Sequence, residues 1–386
     1  MNYQKVICSF YASSRYGSEY RSGLEFIKFA AANGFDLAIV ADLEENSSIS
    51  DIQLLASGIR VVQIPSPIKR QQTLYRYTDL WAQCIWHLRV AKWINHHTCF
   101  LQCLWIQNGA APWLPLAMYF EKSNILIWGP VGGGETASAA MMKVLSWKDQ
   151  LRERLRSNFE NIMLRRKLKA ILSNRASRTI VIARTKEAQR QLSIGLGQEV
   201  PIVPEILDPL AALNIQRTTS ESPKLVWVGQ NIPRKNLSLA LQIFNYLRYS
   251  AFPEATLDVF GCDDPYPNPI IGVTFHGWVS SVPWENFRND GVLLLTSFRE
   301  GLPSAVLEAA RTGLLCITAD VGAISGLGIP TIHILPKEEY PNYSNSTLHS
   351  IQLRIQLHLE QTEISFSAVS NRQKLTNYLC AVRAIE

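Results

Sequence analysis

No apolar run in this chain reaches membrane-spanning length without interruption. The longest candidate, residues 98–120, is broken by Gln102, Gln107, Asn108, Pro112 and Pro115, so no spanning helix is expected. The opening ten residues, MNYQKVICSF, lack the apolar core of a secretory signal and fit a first strand instead. Cysteine is sparse. Seven residues, scattered and odd in number, argue against a disulfide framework and for a reducing, cytoplasmic setting. No Asp-x-Asp occurs, because Asp263 and Asp264 are adjacent. A metal bridging a diphosphate is therefore not expected, and no cofactor is implied. Asn95-His96-His97-Thr98 precedes Cys99 and Cys103, but that spacing fits no usual structural zinc site. The dinucleotide fingerprint Gly-x-Gly-x-x-Gly with its later acid is missing, and no Gly-Lys-Ser/Thr marks a Walker loop.

What is present is length and alternation. With 386 residues, 47% of them hydrophobic, the chain favours two domains with well-buried cores. Strands are expected at 5–10, 36–41, 60–64, 125–128, 179–183 and 200–203, with helices at 19–32 and 186–192. Residues 74–93 carry Leu74, Tyr77, Trp81, Cys84, Ile85, Leu88 and Trp93 at helical spacing. Strand and helix in alternation imply an α/β fold with doubly wound parallel sheets. Residues 204–224, with prolines, Thr218, Thr219, Ser220 and Ser222, are expected to link a first domain, 1–204, to a second, 205–361. The last stretch, 345–386, is expected to be largely helical and without strands.

In such sheets ligands sit beyond the carboxyl ends of the strands. Several polar, glycine-containing loops fall at those ends. Tyr11-Ala-Ser-Ser-Arg-Tyr-Gly17-Ser-Glu19 follows the first strand and is either a plain turn or a close backbone approach to a ligand at Gly17. Trp128-Gly-Pro-Val-Gly132-Gly133-Gly134-Glu135 is either a flexible connection or a ligand loop. Gly229-Gln230-Asn231-Ile232-Pro233-Arg234-Lys235-Asn236 separates a strand at 225–228 from a helix at 237–247, and its two cations suit a diphosphate. Strands at 256–260 and 273–276 run into Gly261 and Gly277-Trp278, and Asp320-Val-Gly322-Ala makes another glycine turn.

The most specific stretch is FREGLPSAVLEAARTG, residues 298–313, after the apolar strand 291–297. Pro303 opens a helix of good formers and Gly313 ends it. Free N–H groups at the start, near Ser304, make an anion site. Glu300 lies in the turn and Glu308 about two turns into the helix, where helical side chains lean back toward the N-terminus. Carboxylates so placed suit hydroxyls, as of a ribose or a sugar, while backbone N–H groups hold phosphate. The bland alternative is an ordinary surface helix with solvated glutamates.

The pattern E-G-L-P-S-x-x-L-E-A resembles the E-x7-E motif of retaining glycosyltransferases of the GT-B fold, family 4. W-G-P-V-G-G-G-E and the G-S-E that ends the first loop are similar to a branch of that family from exopolysaccharide pathways. The resemblance implies two Rossmann-like domains facing across a cleft, with a final helix, about 362–386, crossing back to the first domain. It implies a hexose moved from a nucleotide-diphosphate sugar to a saccharide or lipid-linked acceptor, and the missing Asp-x-Asp argues that this proceeds without metal. Glu300, Lys235 and Arg234 would be catalytic. Gly17, Gln230, Arg234, Lys235, Gly301, Leu302, Pro303, Ser304 and Glu308 would bind the donor. His97, Gly132, Gly133 and Glu135 would meet the acceptor, although His-His-Thr is one residue shorter than the branch's His-His-x-Thr, and a core or surface histidine fits as well. Trp278 and Val279 would pack on the nucleobase, against the alternative of Trp278 as plain core. Gln230 departs from the family, which carries an arginine there. A GT-B sugar-nucleotide epimerase or phosphorylase, or a non-catalytic relative that binds sugar nucleotides or partners, are the rival readings.

Charge is concentrated. Residues 141–178 hold eleven basic residues and three acids, in a chain whose formal charge is +6. Trp147, Leu151, Leu155, Phe159, Ile162, Leu168 and Ile171 form an apolar stripe there at helical spacing. Two readings stand: a surface helix with a solvated basic face, or docking on an anionic membrane surface as a peripheral protein. No recognition motif accompanies the charge, so nucleic acid is not an expected partner.

Overall fold

The computed structural model describes residues 5–13, 18–43, 46–67, 75–97, 102–106, 125–132, 142–143, 145–173, 178–203, 213–301, 303–324, 327, 329–336, 339 and 343–366. The chain divides into two compact units. One comprises 1–135, 154–209 and 370–386, and the other 136–153 and 210–369.

In the first unit, β1 (Lys5–Ser9), α1 (Ser18–Ala32), β2 (Leu37–Asp42), α2 (Ile49–Leu55), β3 (Arg60–Pro65), α3 (Tyr75–His97), β4 (Gln102–Trp105), β5 (Ile125–Val131), most of α4 (Trp147–Ser173), β6 (Arg178–Ala183) and α5 (Lys186–Leu196) follow in order. The strands form one sheet in the order β3-β2-β1-β4-β5-β6, every pair parallel. Both faces are covered, which is why β1, β2 and β4 are apolar with no alternation. One face packs Val6, Leu37, Trp86, Trp105, Trp128 and Leu168, the other Ile7, Leu24, Phe26, Ala38 and Ile127.

The second unit repeats the plan. Its elements are β7 (Leu213–Gln216), β8 (Lys224–Val228), α6 (Leu237–Ser250), β9 (Thr256–Phe260), β10 (Val273–Phe275), β11 (Gly291–Leu295), α7 (Ser304–Arg311), β12 (Leu315–Ala319), β13 (Ile332–Leu335), α8 (Asn345–Glu360) and β14 (Glu363–Phe366). The six-stranded sheet runs β10-β9-β8-β11-β12-β13, all parallel. Counted from β8, this is the same 3-2-1-4-5-6 order as in the first unit, the doubly wound order of a Rossmann sheet.

Within the stretch 204–224, β7 pairs antiparallel with β14. Three expectations are corrected. The last stretch does carry a strand, since Glu363–Phe366 takes the β7 edge, and residues 367–386 lie outside the described residues. Residues 200–203 form no strand; a single bridge joins Ile202 to Ala183. The 128–135 stretch is not all loop. β5 continues through Val131 with a register shift after Trp128, and Val131 pairs with Ala183. Helix α2 and strands β4, β12 and β13 were not singled out in the sequence.

Candidate functional site

Strands β8 and β11 are neighbours, and the strand order reverses between them. Such a switch point leaves a crevice outside the carboxyl ends of the strands. The two loops that leave it are those carrying Arg234-Lys235 and Glu300.

The first loop folds into a single 3₁₀ turn, Pro233–Lys235, and then Asn236 turns back with φ 51° and ψ 59°. Asparagine tolerates that left-handed conformation better than most residues. Thr296, buried at the end of β11, fixes the turn. Its Oγ1 accepts from Trp227 Nε1 at 3.0 Å and faces the carbonyls of Lys235 and Asn236 at 2.9 and 2.8 Å, donating its one proton between them. Phe298 N–H donates to the Arg234 carbonyl at 3.0 Å. The Arg234 guanidinium donates to the Arg299 carbonyl at 2.8 Å.

So zipped, the loops bring the charged groups together. Lys235 Nζ lies 2.7 Å from Glu300 Oε1, and an Arg234 nitrogen lies 3.2 Å from Oε2. The Glu300 carboxylate is only 10% exposed. Burial acts to raise its pKa, but Lys235 and Arg234, with hydrogen bonds from Lys235 and Ser297, outweigh burial and hold it below the usual carboxylate range. The carboxylate therefore stays ionised at neutral pH and keeps acceptor capacity for hydroxyl protons. Beside Glu300, Arg299 pairs with Glu153 at 2.7 Å.

Glycines make these close approaches possible. Gly229 N–H donates to the Phe260 carbonyl, and Gly261 N–H to the Gly277 carbonyl, tying together the ends of β8, β9 and β10. A Cβ at Gly229 would press on the Lys235 stem at 3.3 Å. Gly322, with φ +62°, leaves no room for a side chain, since a Cβ there would fall on the carbonyls of Glu300 and Gly301, and Ala323 N–H donates to Gly301 O at 2.9 Å. The turn at 320–323 is thus the floor under Glu300.

Helix α7 begins beside this turn. Pro303 is buried and extended at the cap position and supplies no side-chain hydrogen bond to the N–H groups of the first turn, at Ser304. Glu308 projects from the same helix, and Trp284 Nε1 donates to its Oε2 at 3.0 Å. Gln230 is exposed on its loop, and its carbonyl accepts from Ile232 N–H at 2.7 Å. Trp278 is not core: it is 78% exposed, and Val279 is half-buried. Leu302 lies outside the described residues.

In the first unit, Gly17, Gly133 and Glu135 also lie outside the described residues. Gly132 is placed at the end of β5, with the Arg184 side chain over it at 3.6 Å from where a Cβ would be. His97 ends α3, exposed, its ring stacked on Trp93 and its Nδ1 donating to the Trp93 carbonyl at 2.9 Å. It is neither core nor, among the described residues, joined to Gly132. The loop after β1 is no plain turn as far as Ser13. It is buried, and the Asn46 side chain holds Ala12 N–H, Phe10 O and Ala41 O at 2.8, 3.0 and 2.7 Å.

Sequence reasoning missed Thr296, Ser297, Trp227, Trp284 and the Arg299–Glu153 pair. A buried threonine and an indole carry no pattern; only their partners, 24 to 69 residues distant, reveal them.

A family model described as glycosyl transferases group 1 matches residues 222–336, the stretch that holds Arg234, Lys235, Glu300 and Glu308. Among solved structures, the chain is similar to a lipopolysaccharide outer core galactosyltransferase WaaB in its apo form, at 13% identity over 98% of this chain and 99% of that one, with a TM-score of 0.56. It is similar to the N-terminal domain of a Candida albicans trehalose-6-phosphate phosphatase, at 12% identity, 100% and 97% coverage and a TM-score of 0.56. A structure titled trehalose-6-phosphate from E. coli, bound with UDP-2-fluoro glucose, aligns at 10% identity, 92% and 95% coverage and a TM-score of 0.51. These likenesses show the fold of this chain: GT-B, with two Rossmann-like units. Among curated proteins, none matches the sequence.

Proposed function

We propose that this GT-B chain, whose residues 222–336 match glycosyl transferases group 1, is a retaining glycosyltransferase. It moves a hexose from a nucleoside diphosphate sugar to a saccharide or lipid-linked acceptor. One observation carries the reading: Lys235 and Arg234 converge on Glu300 at the switch point of the second sheet, beside a helix start whose cap residue, Pro303, offers no side-chain hydrogen bond.

That arrangement suits a leaving group that gains negative charge. An incoming diphosphate competes with Glu300 for the two cations, and N–H groups at the α7 start add partial positive charge. Glu300, freed in part from its ion pairs, accepts protons from sugar hydroxyls and with the Gly301 and Leu302 backbone fixes the anomeric carbon. Glu308, oriented by Trp284, takes ribose hydroxyls. Among the described residues, the carboxylates of the site, Glu300 and Glu308, are both assigned to hydroxyls and neither to the role of nucleophile. The working mechanism is a same-face displacement. The acceptor oxygen bonds to the anomeric carbon as the bond to the phosphate oxygen breaks, and the acceptor proton passes to that departing oxygen. Acceptor recognition falls to the first unit, with His97 and Gly132 as contacts. No metal enters this scheme.

The test is calorimetry with uridine, guanosine and adenosine diphosphate sugars, then turnover with acceptor-containing lysate. Transfer with the donor's anomeric configuration kept, and lost in Glu300→Ala and Lys235→Ala, supports the reading. A wild type that binds a donor yet neither hydrolyses nor transfers it ends the enzyme reading and favours a non-catalytic binder. Exposed Gln230, where the family carries an arginine, is the feature that would account for that outcome.

A further inference from the structure

Helix α4 carries two apolar faces rather than the single stripe its sequence suggests. Leu164 and Leu168 are buried in the first unit's core. Trp147, Leu151, Leu155, Phe159 and Ile162 point outward, with Trp147 70% and Leu155 61% exposed. Their spacing of four, four, four and three residues keeps them on one side of the helix. A soluble surface helix has no reason to hold five large apolar side chains in water.

Charge runs along the same side. Lys148, Arg152, Arg154, Arg165, Arg166 and Lys169 are exposed, and at 165–169 they follow directly on the apolar stripe. Lys148 Nζ sits over the Trp147 ring at 5.7 Å. Both described acids of the helix are engaged elsewhere: Asp149 with Ser146 at 2.6 Å, Glu153 with Arg299 at 2.7 Å. The outward face therefore presents cations and hydrocarbon without a described competing carboxylate.

We propose that the outward face of α4 docks on an anionic lipid bilayer, with Trp147, Leu151, Leu155, Phe159 and Ile162 entering the headgroup boundary and the flanking cations meeting lipid phosphates. Interfacial helices have this composition, and each near-surface cation strengthens attachment. No helix of the described residues is long and apolar enough to cross a membrane, so the attachment is lateral. A second copy of the chain is a poorer occupant, because two such faces would oppose like charges. Nucleic acid would meet the cations but leave the apolar stripe in water. The inference stands independently of sugar transfer, since its readout is binding.

The test sediments the full chain with vesicles of phosphatidylcholine alone or mixed with phosphatidylglycerol. Pelleting is expected with the mixed vesicles only, and weaker at high salt. Leu151→Glu/Leu155→Glu should abolish it. Arg165→Gln/Arg166→Gln should lower partitioning about 30-fold, the effect of two near-surface charges. All four side chains are exposed, so both variants should melt like wild type, and the arginine pair decides alone if the leucine pair misfolds. No binding to anionic vesicles at low salt overturns the proposal, as does binding that neither variant changes. Light scattering that shows a wild-type dimer, dissociated by Leu151→Glu/Leu155→Glu, overturns it too and makes the face a self-interface.

Discussion

Lys235 Nζ and Glu300 Oε1 are 65 residues apart in the chain and 2.7 Å apart in space. Neither side chain is more than 19% exposed, so solvent screens the pair less than an ordinary surface bridge. Lys235→Ala leaves Arg234 as the direct ion partner of the carboxylate among the described residues. We expect a stability loss of about 1–3 kcal/mol in urea melts, less than the loss from a buried pair with no second cation. Turnover should fall about 100-fold or more, because leaving-group stabilisation goes with the charge. Wild-type turnover in Lys235→Ala would remove the pair from the mechanism.

Gly322→Ala tests the floor of the site. A Cβ there would overlap the Glu300 and Gly301 carbonyls, and φ +62° is strained for alanine. The 300–301 turn must shift. The expected result is a clear drop in melting temperature together with weaker donor binding by calorimetry. A variant that binds donor as wild type does would show that the turn is not held from below.

Thr296→Val keeps the shape and removes the hydroxyl. The Trp227 indole N–H then loses the Thr296 oxygen and the Lys235 carbonyl loses the hydroxyl, while the Asn236 carbonyl still accepts from Leu239 N–H at 3.2 Å. Each buried orphan costs about 1–3 kcal/mol. As the Thr296 hydroxyl holds both Trp227 and the Lys235 turn, the conservative Thr296→Ser should restore both stability and donor affinity. Equal loss in the serine variant would assign the effect to packing instead.

Two groups set distinct acid windows. Burial, with the charges of Arg217 and Arg354, pushes the His358 pKa down to about 3. The unfolded histidine titrates near ~6.5, so below that pH it binds a proton that the folded one refuses. Stability is full above that value and falls toward pH 3, at up to about 1.4 kcal/mol per pH unit for one proton. Half-buried His333, lowered by burial and Arg354, adds to the same limb. Glu300 acts lower: its contribution is present above the usual carboxylate range and is lost as pH falls through its depressed value. His358→Gln should flatten the upper part of this limb in urea melts from pH 4 to 7; an unchanged slope would mean that His358 is protonated in the fold.

The fold was legible wherever one strand and one helix alternate over short distances. Buried parallel strands leave apolar runs such as 291–295, and glycine or proline marks their ends. Arg234, Lys235, Glu300 and Glu308 were legible because a charged residue in a strand-end loop stands out against that background. What escaped was long-range. Strands β7 and β14 pair across 147 residues, from Gln216 to Glu363, and each looks like polar linker or helix alone. Thr296 and Trp284 act through single hydrogen bonds to distant partners. The outward stripe of α4 was visible as periodicity, but whether such a stripe faces core or solvent depends on packing that periodicity does not encode.

Trp278 separates two accounts of the strand-end loops most cleanly. As a core residue its truncation to alanine would cost about 3–5 kcal/mol. It is 78% exposed, so Trp278→Ala should leave stability within about 0.5 kcal/mol of wild type. It follows Gly277, whose carbonyl accepts from Gly261 N–H, so its backbone lies at the carboxyl ends of β9 and β10, on the same side of the sheet as the loops of Lys235 and Glu300. An exposed indole at that edge offers a face on which a nucleobase can stack, an interaction of about 1–3 kcal/mol per base. Donor affinity should therefore weaken about tenfold or more, while an isolated sugar phosphate lacking the base binds both proteins alike. Equal nucleotide affinity in Trp278→Ala would leave the exposed ring without a role in donor recognition and send the search for the base site to Val279 and its neighbours.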